Sequence, residues 1–215
     1  MGKTTYISLR FFCILRGKPT PCNSRVKIIL QDYQYMTIIP LIMPATLSDL
    51  PQITDIYNYY IESSAITFDI KPWTSEERLP WFNQFKDGSP HQCWVLKDQG
   101  KIIGYACSAK FRPKPAYNTS VESTIYLHPN ALRKGFGRRL YKHLLNELEK
   151  LSLHRCYGII TLPNEGSRYL HESLGFKTIG ILTEVGYKFD QYWDTLWLEK
   201  KLGSQDKGSK LEQRY

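Results

Sequence analysis

The amino-acid sequence predicts a mixed α/β domain that is built around one central sheet. Three observations support this prediction. Short runs rich in β-branched and aromatic residues recur along the chain, longer runs with helical spacing lie between them, and no internal repeat is present. A chain of 215 residues that is 42% hydrophobic is long enough for one substantial core. We therefore expect one domain at residues 36–202, after a basic leader at residues 1–35 and before a polar tail at residues 203–215.

The domain begins with a predicted strand and two predicted helices. Residues 37–43 read TIIPLIM, a run typical of a strand. Ser48 is the predicted N-cap of a helix whose apolar positions recur at near-helical intervals, at Leu50, Ile53, Ile56 and Tyr60. Thr74 and Glu77 fit a capping box, which predicts a second, short helix as far as Phe85.

The next predicted elements are three strands followed by a long helix. Residues 92–110 indicate a hairpin whose turn lies at residues 98–101 and contains Gly100. Residues 119–129 predict the fourth strand, which a proline ends. The long helix starts at Phe136 and carries one apolar stripe, formed by Leu140, Leu144, Leu148 and Leu151.

The last predicted elements are a strand, a helix and two further strands. Residues 155–162 predict the fifth strand. A short helix follows at residues 167–174, and Gly175 ends it. Residues 176–182 and 192–202 predict the final two strands. This order of elements predicts a mixed sheet with flanking helices in a single domain.

The net charge of +9 raises nucleic acid as a partner, but its distribution argues against one. Residues 1–35 hold six cations and one acid, a net +5, which leaves +4 for the other 180 residues. A charge of +4 is ordinary for a domain of this size, and the sequence contains no nucleic-acid-binding motif. We therefore expect no nucleic-acid partner.

The leader carries no strong targeting signal. Its apolar run ISLRFFCIL is interrupted by Arg10 and makes a poor signal-peptide core. No stretch of the chain approaches the ~20 apolar residues of a membrane span. A basic start also resembles an organelle transit peptide, which stays open as an alternative. We expect a cytoplasmic protein without membrane contact, whose leader is dispensable and whose functional part starts at Met36.

The five cysteines are far apart, and no pair has the close spacing of a zinc or redox motif. Cys93, Cys107 and Cys156 lie in apolar, strand-like runs, where we expect buried and reduced thiols. This usage indicates a reducing compartment. No metal site is predicted.

The segment ALRKGFGRRLYKHLL, at residues 131–145, places a Gly-x-Gly turn between the fourth strand and the long helix. The amino end of a helix presents unpaired N–H groups and a partial positive charge, which together bind phosphate. Gly135 and Gly137 lack Cβ atoms, so a pyrophosphate can approach the amides. A plain turn before a helix has the same pattern, so both interpretations stay open. Three cations add positive charge around the turn: Arg133, Lys134 and Arg138.

Three further polar residues are candidates for a functional site. Glu122 lies within the fourth strand, on the same predicted face as Thr124 and Tyr126. A carboxylate shortly before a phosphate-binding turn suits a general base, although a solvated strand residue fits the pattern as well. Asn164 can hydrogen-bond an extended ligand. His171 lies on the following helix, where a structural role is the commoner one.

Together these residues resemble the GNAT acyl-CoA N-acyltransferase superfamily. Within it, the chain is similar to the phosphinothricin and methionine sulfoximine acetyltransferases from about Ile42 to Leu202. The resemblance implies the GNAT fold, with a mixed, mostly antiparallel sheet of about seven strands and flanking helices, and it implies a homodimer. Five blocks fall in the family's order and are far more specific together than singly: PATLSDLPQITDIYNYYI, AYNTSVESTIYLHP, RKGFGRRLY, PNEGSRYLHESLGF and VGYKFDQYWD.

The resemblance implies that acetyl-CoA is the co-substrate and that no metal is required. The pantetheine would pair with the backbone of Ile125, Tyr126 and Leu127, and Asn164 would hold the pantetheine arm. The family carries Gln or Arg where this chain has Leu132, a departure that predicts weaker cofactor affinity at most. The pyrophosphate would lie against six consecutive residues: Arg133, Lys134, Gly135, Phe136, Gly137 and Arg138.

The resemblance also implies an N-acetyltransferase that acts on the primary amine of a small amino acid or an amino-acid analogue. Glu122 matches the general base, and His171 matches a paired catalytic histidine. A strand N–H near Tyr126 and Leu127 would meet the oxyanion of the reaction. The Asn118–Thr119 pair leaves the exact substrate open, because relatives vary there. The positions that would line the amino-acid pocket are Phe68, Arg112, Lys114, Tyr117 and Tyr126.

Two other functions stay open. The alternative within enzymes is a different amine, such as an antibiotic, a polyamine or a peptide N-terminus, although Arg112 and Lys114 would repel a polycationic amine. The alternative from another class is a non-catalytic module that binds an acyl-CoA.

Overall fold

The computed structural model describes residues 39–85 and 89–203, together with two short strands nearer the amino terminus. These strands, β1 (Phe12–Leu15) and β2 (Lys18–Pro21), pair antiparallel within a unit of their own at residues 1–37. The rest of the predicted leader and the tail beyond Gly203 lie outside the described residues. The dispensability of the leader therefore stays a prediction.

A seven-stranded sheet forms the second unit, and its strands lie side by side in the order β3-β4-β5-β6-β7-β9-β8. In the described residues, β6 and β7 are parallel, and every other neighbouring pair of this sheet is antiparallel. The prediction of a mixed, mostly antiparallel sheet of seven strands is confirmed. The strands are β3 (Leu41–Pro44), β4 (Cys93–Asp98), β5 (Lys101–Lys110), β6 (Ser120–Leu127), β7 (Arg155–Thr161), β8 (Lys177–Lys188) and β9 (Gln191–Lys201).

Helices cover both faces of this sheet. Helix α3 packs its apolar stripe into a core that contains Ala106 and Val121. Helices α1 and α2 pack on a second core with Tyr105 and Cys107. Because side chains alternate along β5, these two cores lie on opposite faces of the sheet. The helices of the described residues are α1 (Leu50–Ser63), α2 (Leu79–Phe82), α3 (Phe136–Glu149) and α4 (Glu165–Ser173).

The starts of the first two helices differ in how well the sequence predicted them. Thr46, not Ser48, caps the 3₁₀ turn that leads into α1. The Asp49 carboxylate accepts the Thr46 N–H at 2.9 Å, so the prediction for Ser48 is wrong. The capping box is confirmed, since Thr74 N–H donates to Glu77 Oε2 at 2.9 Å and Glu77 N–H donates to Thr74 Oγ1 at 3.2 Å. The predicted helix start there is wrong, because residues 75–78 form a turn and α2 begins only at Leu79.

Strand β8 is longer than the sequence predicted. Its pairing with β9 shifts between Leu182 and Gly186, where Glu184 adopts a φ of 51°. The strand then continues to Lys188, and the hairpin turns at Phe189 and Asp190, which both have positive φ. The predicted end at residue 182 is therefore too early, because an irregularity in the pairing looks like a strand end in the sequence.

The buried thiols agree with the sequence analysis. Cys93, Cys107 and Cys156 are buried, free cysteines. Burial raises the pKa of the Cys156 thiol to about 12, so this thiol is uncharged at neutral pH. None of the helices in residues 39–85 and 89–203 is long and apolar enough to cross a membrane.

Candidate active site

The two parallel strands part at Glu122. The pairing between β6 and β7 covers residues 120–122 of β6 and residues 155–157 of β7. In the described part of the chain no further pairing joins these strands, although β6 continues to Leu127 and β7 to Thr161. A cleft therefore opens between them. The amino ends of α3 and α4 follow the carboxyl ends of the two strands and so border this cleft.

Backbone groups of β6 face the cleft. His128 N–H donates to the Ile103 carbonyl of β5 at 2.9 Å, and antiparallel pairs alternate between bonded and non-bonded residues. The register therefore directs the N–H and C=O of Tyr126 toward β5, and the N–H groups of Ile125 and Leu127 toward the cleft. Ile125 and Leu127 can therefore make the predicted backbone contact with a ligand. The backbone of Tyr126 cannot, so this residue can contact a ligand only through its side chain.

The two glycines at the start of α3 are required for different structural reasons. Gly135 is the N-cap residue and has a φ of 76°, in the left-handed region that favours glycine. Gly137 allows close packing, because a Cβ there would lie 3.3 Å from Leu127 Cδ1 and 3.6 Å from Leu170 Cδ2. Both glycines therefore have a backbone or packing reason in addition to the predicted approach of a phosphate.

The cations near this turn are not equivalent. Arg133 and Lys134 are exposed, and Arg133 has a φ of 59°. The Arg138 guanidinium instead donates to the Ser173 carbonyl at 3.1 Å and to Ser173 Oγ at 2.8 Å, which ties α3 to the end of α4. Phe136, half-buried, packs against the α3 core. Arg133 and Lys134 are thus the better placed cations for an anionic ligand.

Asn164 is the N-cap residue of α4. Its Oδ1 atom accepts the Ser167 N–H at 3.1 Å. Among the described residues its side-chain N–H groups have no hydrogen-bond partner, so they can donate to a ligand in the cleft. The predicted helix start at Ser167 is two residues too late, because Asn164 caps the helix and Glu165 begins it.

Glu122 is a half-buried carboxylate at the point where the strands part. Burial raises its pKa, and the positive charge of Arg112 offsets part of that effect. Residues 39–85 and 89–203 contain no hydrogen bond to the Glu122 side chain. A carboxylate with a raised pKa and open lone pairs can accept a proton from a ligand.

Aromatic side chains cover the Glu122 face of β6. The Tyr126 ring stacks on Tyr105 with 5.6 Å between centroids and meets Tyr57 edge-on at 5.2 Å. The Tyr60 hydroxyl donates to the Leu127 carbonyl at 2.6 Å. This bond occupies the carbonyl of Leu127 and leaves its N–H directed into the cleft.

Arg78 is a buried cation on this face that the sequence analysis missed. Its side chain is 5% exposed, and its guanidinium lies 4.6 Å from the Tyr57 ring centroid and 4.0 Å from that of Trp81. Among the described residues its Nη1 atom has no hydrogen-bond partner. Arg78 follows Glu77 of the capping box and reads as an exposed helical charge. Its contact with Tyr57, distant in sequence, is what buries it.

The structure brings together only some of the predicted pocket residues. Arg112 lies over the Phe111 ring at 4.7 Å and the Trp197 ring at 5.5 Å, close enough to Glu122 to affect its pKa. Lys114 and Tyr117 are exposed on the connection between β5 and β6. The Phe68 ring, 36% exposed, lies in the segment after α1 and rests on Gly186 of β8.

His171 borders the cleft from the opposite face of the sheet. Its ring is 4% exposed and packs between Tyr141 and Phe176, with centroid distances of 4.9 and 5.0 Å. Nδ1 lies 2.8 Å from the Ser167 carbonyl and so donates to it, which directs the unprotonated Nε2 toward Gly158, the first β7 residue past the pairing with β6. Burial lowers its pKa and keeps the ring neutral. The described residues include no hydrogen bond between His171 and Glu122.

Comparisons with known proteins show the family to which the chain belongs. Residues 53–176 match the model of the Acetyltransferase (GNAT) family. Phosphinothricin N-acetyltransferase of Streptomyces coelicolor is 44% identical over 163 residues, which cover 75% of this chain and 95% of the relative. The L-methionine sulfoximine/L-methionine sulfone acetyltransferase of Salmonella typhimurium is 28% identical over 155 residues, 72% of this chain and 90% of the relative.

A solved structure shows the same fold. The GNAT superfamily phosphinothricin acetyltransferase of Sinorhizobium meliloti, in complex with AcCoA, superposes with a TM-score of 0.73 at 30% identity and covers 77% of this chain and 90% of its own. The chain belongs to the GNAT family and is an N-acetyltransferase.

Proposed function

We propose that this enzyme transfers the acetyl group of acetyl-CoA to the primary amine of a small amino acid or an amino-acid analogue of the phosphinothricin and methionine sulfoximine type. The observation that carries the proposal is Glu122, a half-buried carboxylate with a raised pKa at the point where β6 and β7 part. The names of the related proteins support the substrate class.

The residues around the cleft fit acetyl-CoA. The cleft-facing N–H of Leu127 suits an extended amide of a pantetheine, and the side-chain N–H groups of Asn164 lie at the other wall of the cleft. The first-turn amides of α3, from Gly135 onward, suit a pyrophosphate. When bound, acetyl-CoA supplies a thioester whose thiol is a good leaving group, since the unperturbed pKa of a thiol is ~8.5.

Glu122 acts as the general base in this proposal. It accepts one proton from the ammonium group of the acceptor, directly or through water, because only the free amine is nucleophilic. The amine nitrogen forms the new bond to the acetyl carbon, and the bond from that carbon to sulfur breaks. Of the two cleft-facing N–H groups, that of Ile125 lies nearer to Glu122 along β6 than the position first expected near Leu127, so we assign it to the acetyl oxygen as that atom gains negative charge.

His171 is proposed as the second catalytic residue. A cleft between two strands is accessible from both faces of a sheet, so His171 and Glu122 can both border it. The lowered pKa and the bond from Nδ1 to the Ser167 carbonyl keep Nε2 unprotonated. A neutral imidazole of this kind can exchange a proton within the cleft.

The charges near Glu122 support an anionic acceptor. Arg112 lies beside Glu122, and Lys114 follows on the same connection between strands. These two cations suit a substrate that carries a carboxylate and a second oxyanion-like group, and they disfavour a polyamine. Phe68, Tyr117 and the Tyr126 ring complete the proposed pocket. The proposal involves no metal.

We also propose that the enzyme is a homodimer that pairs through β8. This strand lies at one edge of the sheet, with β3 at the other edge, and an apolar edge strand is a template for pairing with another chain. A second copy presents the same surface and can cover it symmetrically. Apolar side chains that are each at least 46% exposed lie along this strand and its turn: Ile179, Ile181, Leu182, Val185, Tyr187 and Phe189.

A thiol-release assay tests the proposed function. The purified protein is incubated with acetyl-CoA and with phosphinothricin, methionine sulfoximine, the common amino acids, spermidine or a short peptide. We expect free thiol to appear with one or more of the amino acids or analogues and not with spermidine. Release with the peptide or spermidine alone would replace the proposed substrate class, and binding of acetyl-CoA without any release would indicate a non-catalytic module. The buried, reduced thiols fit the reducing cytoplasm, where we expect the enzyme to act.

A further inference from the structure

The segment that follows α1 is held against β8 by two separate contacts. The first is the ring of Phe68, which lies directly on the backbone of Gly186. A Cβ atom added to Gly186 would overlap the ring atoms Cζ, Cε1 and Cε2 of Phe68. The position therefore requires glycine because of the ring above it.

A neighbouring glycine on the same strand shows the difference. Gly180 also lies in β8, and among the described residues nothing lies within 4 Å of a Cβ added there. Neither Gly180 nor Gly186 has a positive φ. The backbone conformation therefore accepts an alanine at both positions, and only the alanine at position 186 meets an aromatic ring.

The second contact is the ammonium group of Lys188. Its Nζ donates to the Ser64 carbonyl at 2.9 Å and to the Thr67 carbonyl at 2.9 Å. The lysine is 5% exposed, and its charge lies 5.1 Å from the ring centroid of Phe189 in the hairpin turn. Buried charges are retained where they make hydrogen bonds, so Lys188 fixes the backbone on both sides of residue 66.

The same segment reaches the Glu122 face of β6 through its next residues. Thr67 Oγ1 lies 2.7 Å from the Tyr57 hydroxyl, and the Tyr57 ring meets Tyr126 edge-on. The Tyr57 hydroxyl donates its proton to Asp69 Oδ2 at 2.9 Å, so the Thr67 hydroxyl is the donor in the bond between Thr67 and Tyr57. Phe68 is therefore held between an anchored Thr67 and an anchored Asp69, with one side of its ring on Gly186 and the remainder exposed.

We infer that Gly186 and Lys188 of β8 are positioning residues that set Phe68 as a wall of the acceptor pocket, and that β8 thereby determines the size of acceptor the enzyme takes. The inference rests on the proposed function for the identity of the pocket. Neither residue needs to touch the substrate, because each acts through the segment that carries Phe68.

Gly186→Ala tests the inference, with Gly180→Ala as the matched control. The added methyl group displaces the Phe68 ring, so we expect the KM for the amino-acid acceptor to rise by about tenfold, while kcat and the KM for acetyl-CoA stay within about threefold of the parent. Gly180→Ala is expected to match the parent in all three constants. An unchanged acceptor KM in a folded Gly186→Ala protein would overturn the inference.

A second substitution separates positioning from general damage. Phe68→Leu removes the ring that the methyl group meets, so Gly186→Ala should have little further effect on acceptor KM in a Phe68→Leu background. Equal effects of Gly186→Ala in both backgrounds would contradict the inference. Turnover by the parent decides the proposed function independently. If the parent acetylates no acceptor, the same double-mutant cycle on thermal unfolding still tests the contact, and additive effects there would overturn it.

Discussion

At the scale of single residues, His171 has both a packing role and a proposed catalytic role. Its ring fills the space between Tyr141, Phe176 and Gly158, and its Nδ1 hydrogen bond fixes the tautomer. A packing role alone would make His171 important for stability and irrelevant to turnover. The two roles therefore differ in what a substitution does to kcat.

We expect His171→Gln to lower kcat by about 10²-fold, the lower end of the range for proton transfer by a side chain, with acetyl-CoA affinity unchanged. His143→Gln is the matched control, because His143 also lies on a helix, α3, and packs edge-on against an aromatic ring, that of Trp94, with centroids 4.3 Å apart. The control should change stability and leave kcat near that of the parent. Steady-state kinetics and thermal unfolding of both variants check the prediction, and a parent-like kcat in His171→Gln would assign the residue to packing only.

The buried imidazole also predicts how stability depends on pH. Burial lowers the pKa of His171 in the folded state below the unfolded value of about 6.5. Its contribution to stability is therefore present above pH 6.5 and is lost as the pH falls toward the lowered folded pKa. We expect the loss of unfolding free energy between pH 7 and pH 5 to be smaller in His171→Gln than in the parent, as urea titrations at the two pH values will show. Equal losses would mean that His171 does not titrate on unfolding.

At the scale of elements, the start of α3 is the proposed binding site for the pyrophosphate. A valine at position 137 would place its Cβ 3.3 Å from Leu127 Cδ1, within the first turn whose amides are proposed to bind the pyrophosphate. We expect Gly137→Val to weaken acetyl-CoA binding by at least about tenfold in isothermal titration calorimetry, and Gly137→Ala to weaken it less. Because the contact with Leu127 also affects packing, thermal unfolding is measured alongside. Parent-like affinity in a folded Gly137→Val protein would contradict the site.

Elements with a strong local signal could be predicted from the sequence. The α3 stripe is confirmed at Leu140, Leu144 and Leu148, which are all fully buried. The fourth predicted member, Leu151, lies past the end of the helix at Glu149. The hairpin turn at Gly100 is confirmed by its φ of 82°. In both cases a single local property, helical spacing or a glycine in a turn, determines the structure.

Features that depend on contacts between distant segments could not be predicted in the same way. The turn at Phe189 and Asp190 has positive φ at two residues with side chains, so it lacks the usual glycine or asparagine signal. Arg78 is buried between the ring of Tyr57, which lies much earlier in the chain, and the ring of Trp81 in the helix that follows. Likewise, nothing local to Gly186 indicates that the ring of Phe68 covers it.

At the scale of the whole molecule, the exposed apolar edge at β8 predicts self-association. We expect the double variant Ile181→Lys and Val185→Lys to shift the protein from dimer to monomer, because it places charges in a buried, symmetric contact. Light scattering coupled to size-exclusion chromatography measures the mass. Tyr169→Lys, on the outer face of α4 and 75% exposed, is the control and should remain a dimer. A parent protein that is monomeric at all concentrations would contradict the proposed homodimer.

The leader gives a second prediction at this scale. A chain that begins at Met36 contains every residue of the proposed site, so we expect it to keep the acetyl-CoA affinity and the turnover of the full chain. Calorimetry and the thiol-release assay on the two chains make the comparison. Loss of folding, or loss of turnover with every acceptor, would show that residues 1–35 belong to the catalytic domain.

Glu122 is the residue on which the account of the chemistry depends. Glu122→Gln keeps the shape of the side chain and cannot accept the ammonium proton. Because burial disfavours the charged carboxylate in the folded protein, the raised pKa costs stability above it, and the Gln variant should be no less stable than the parent at pH 7. Glu62→Gln, at an exposed position of α1, is the control and should behave as the parent.

The most direct measurement is the pH dependence of kcat for the parent and for Glu122→Gln, with the acceptor that the thiol-release assay identifies. We expect kcat of the variant to be lower by ~10²–10⁴-fold at pH 7, with acetyl-CoA affinity nearly unchanged. The activity of the parent should fall as the pH drops through the raised pKa of Glu122, and the defect of the variant should shrink as the pH approaches the pKa of the acceptor amine. A variant that turns over within about threefold of the parent at pH 7, well below the range for a general base, would contradict the account.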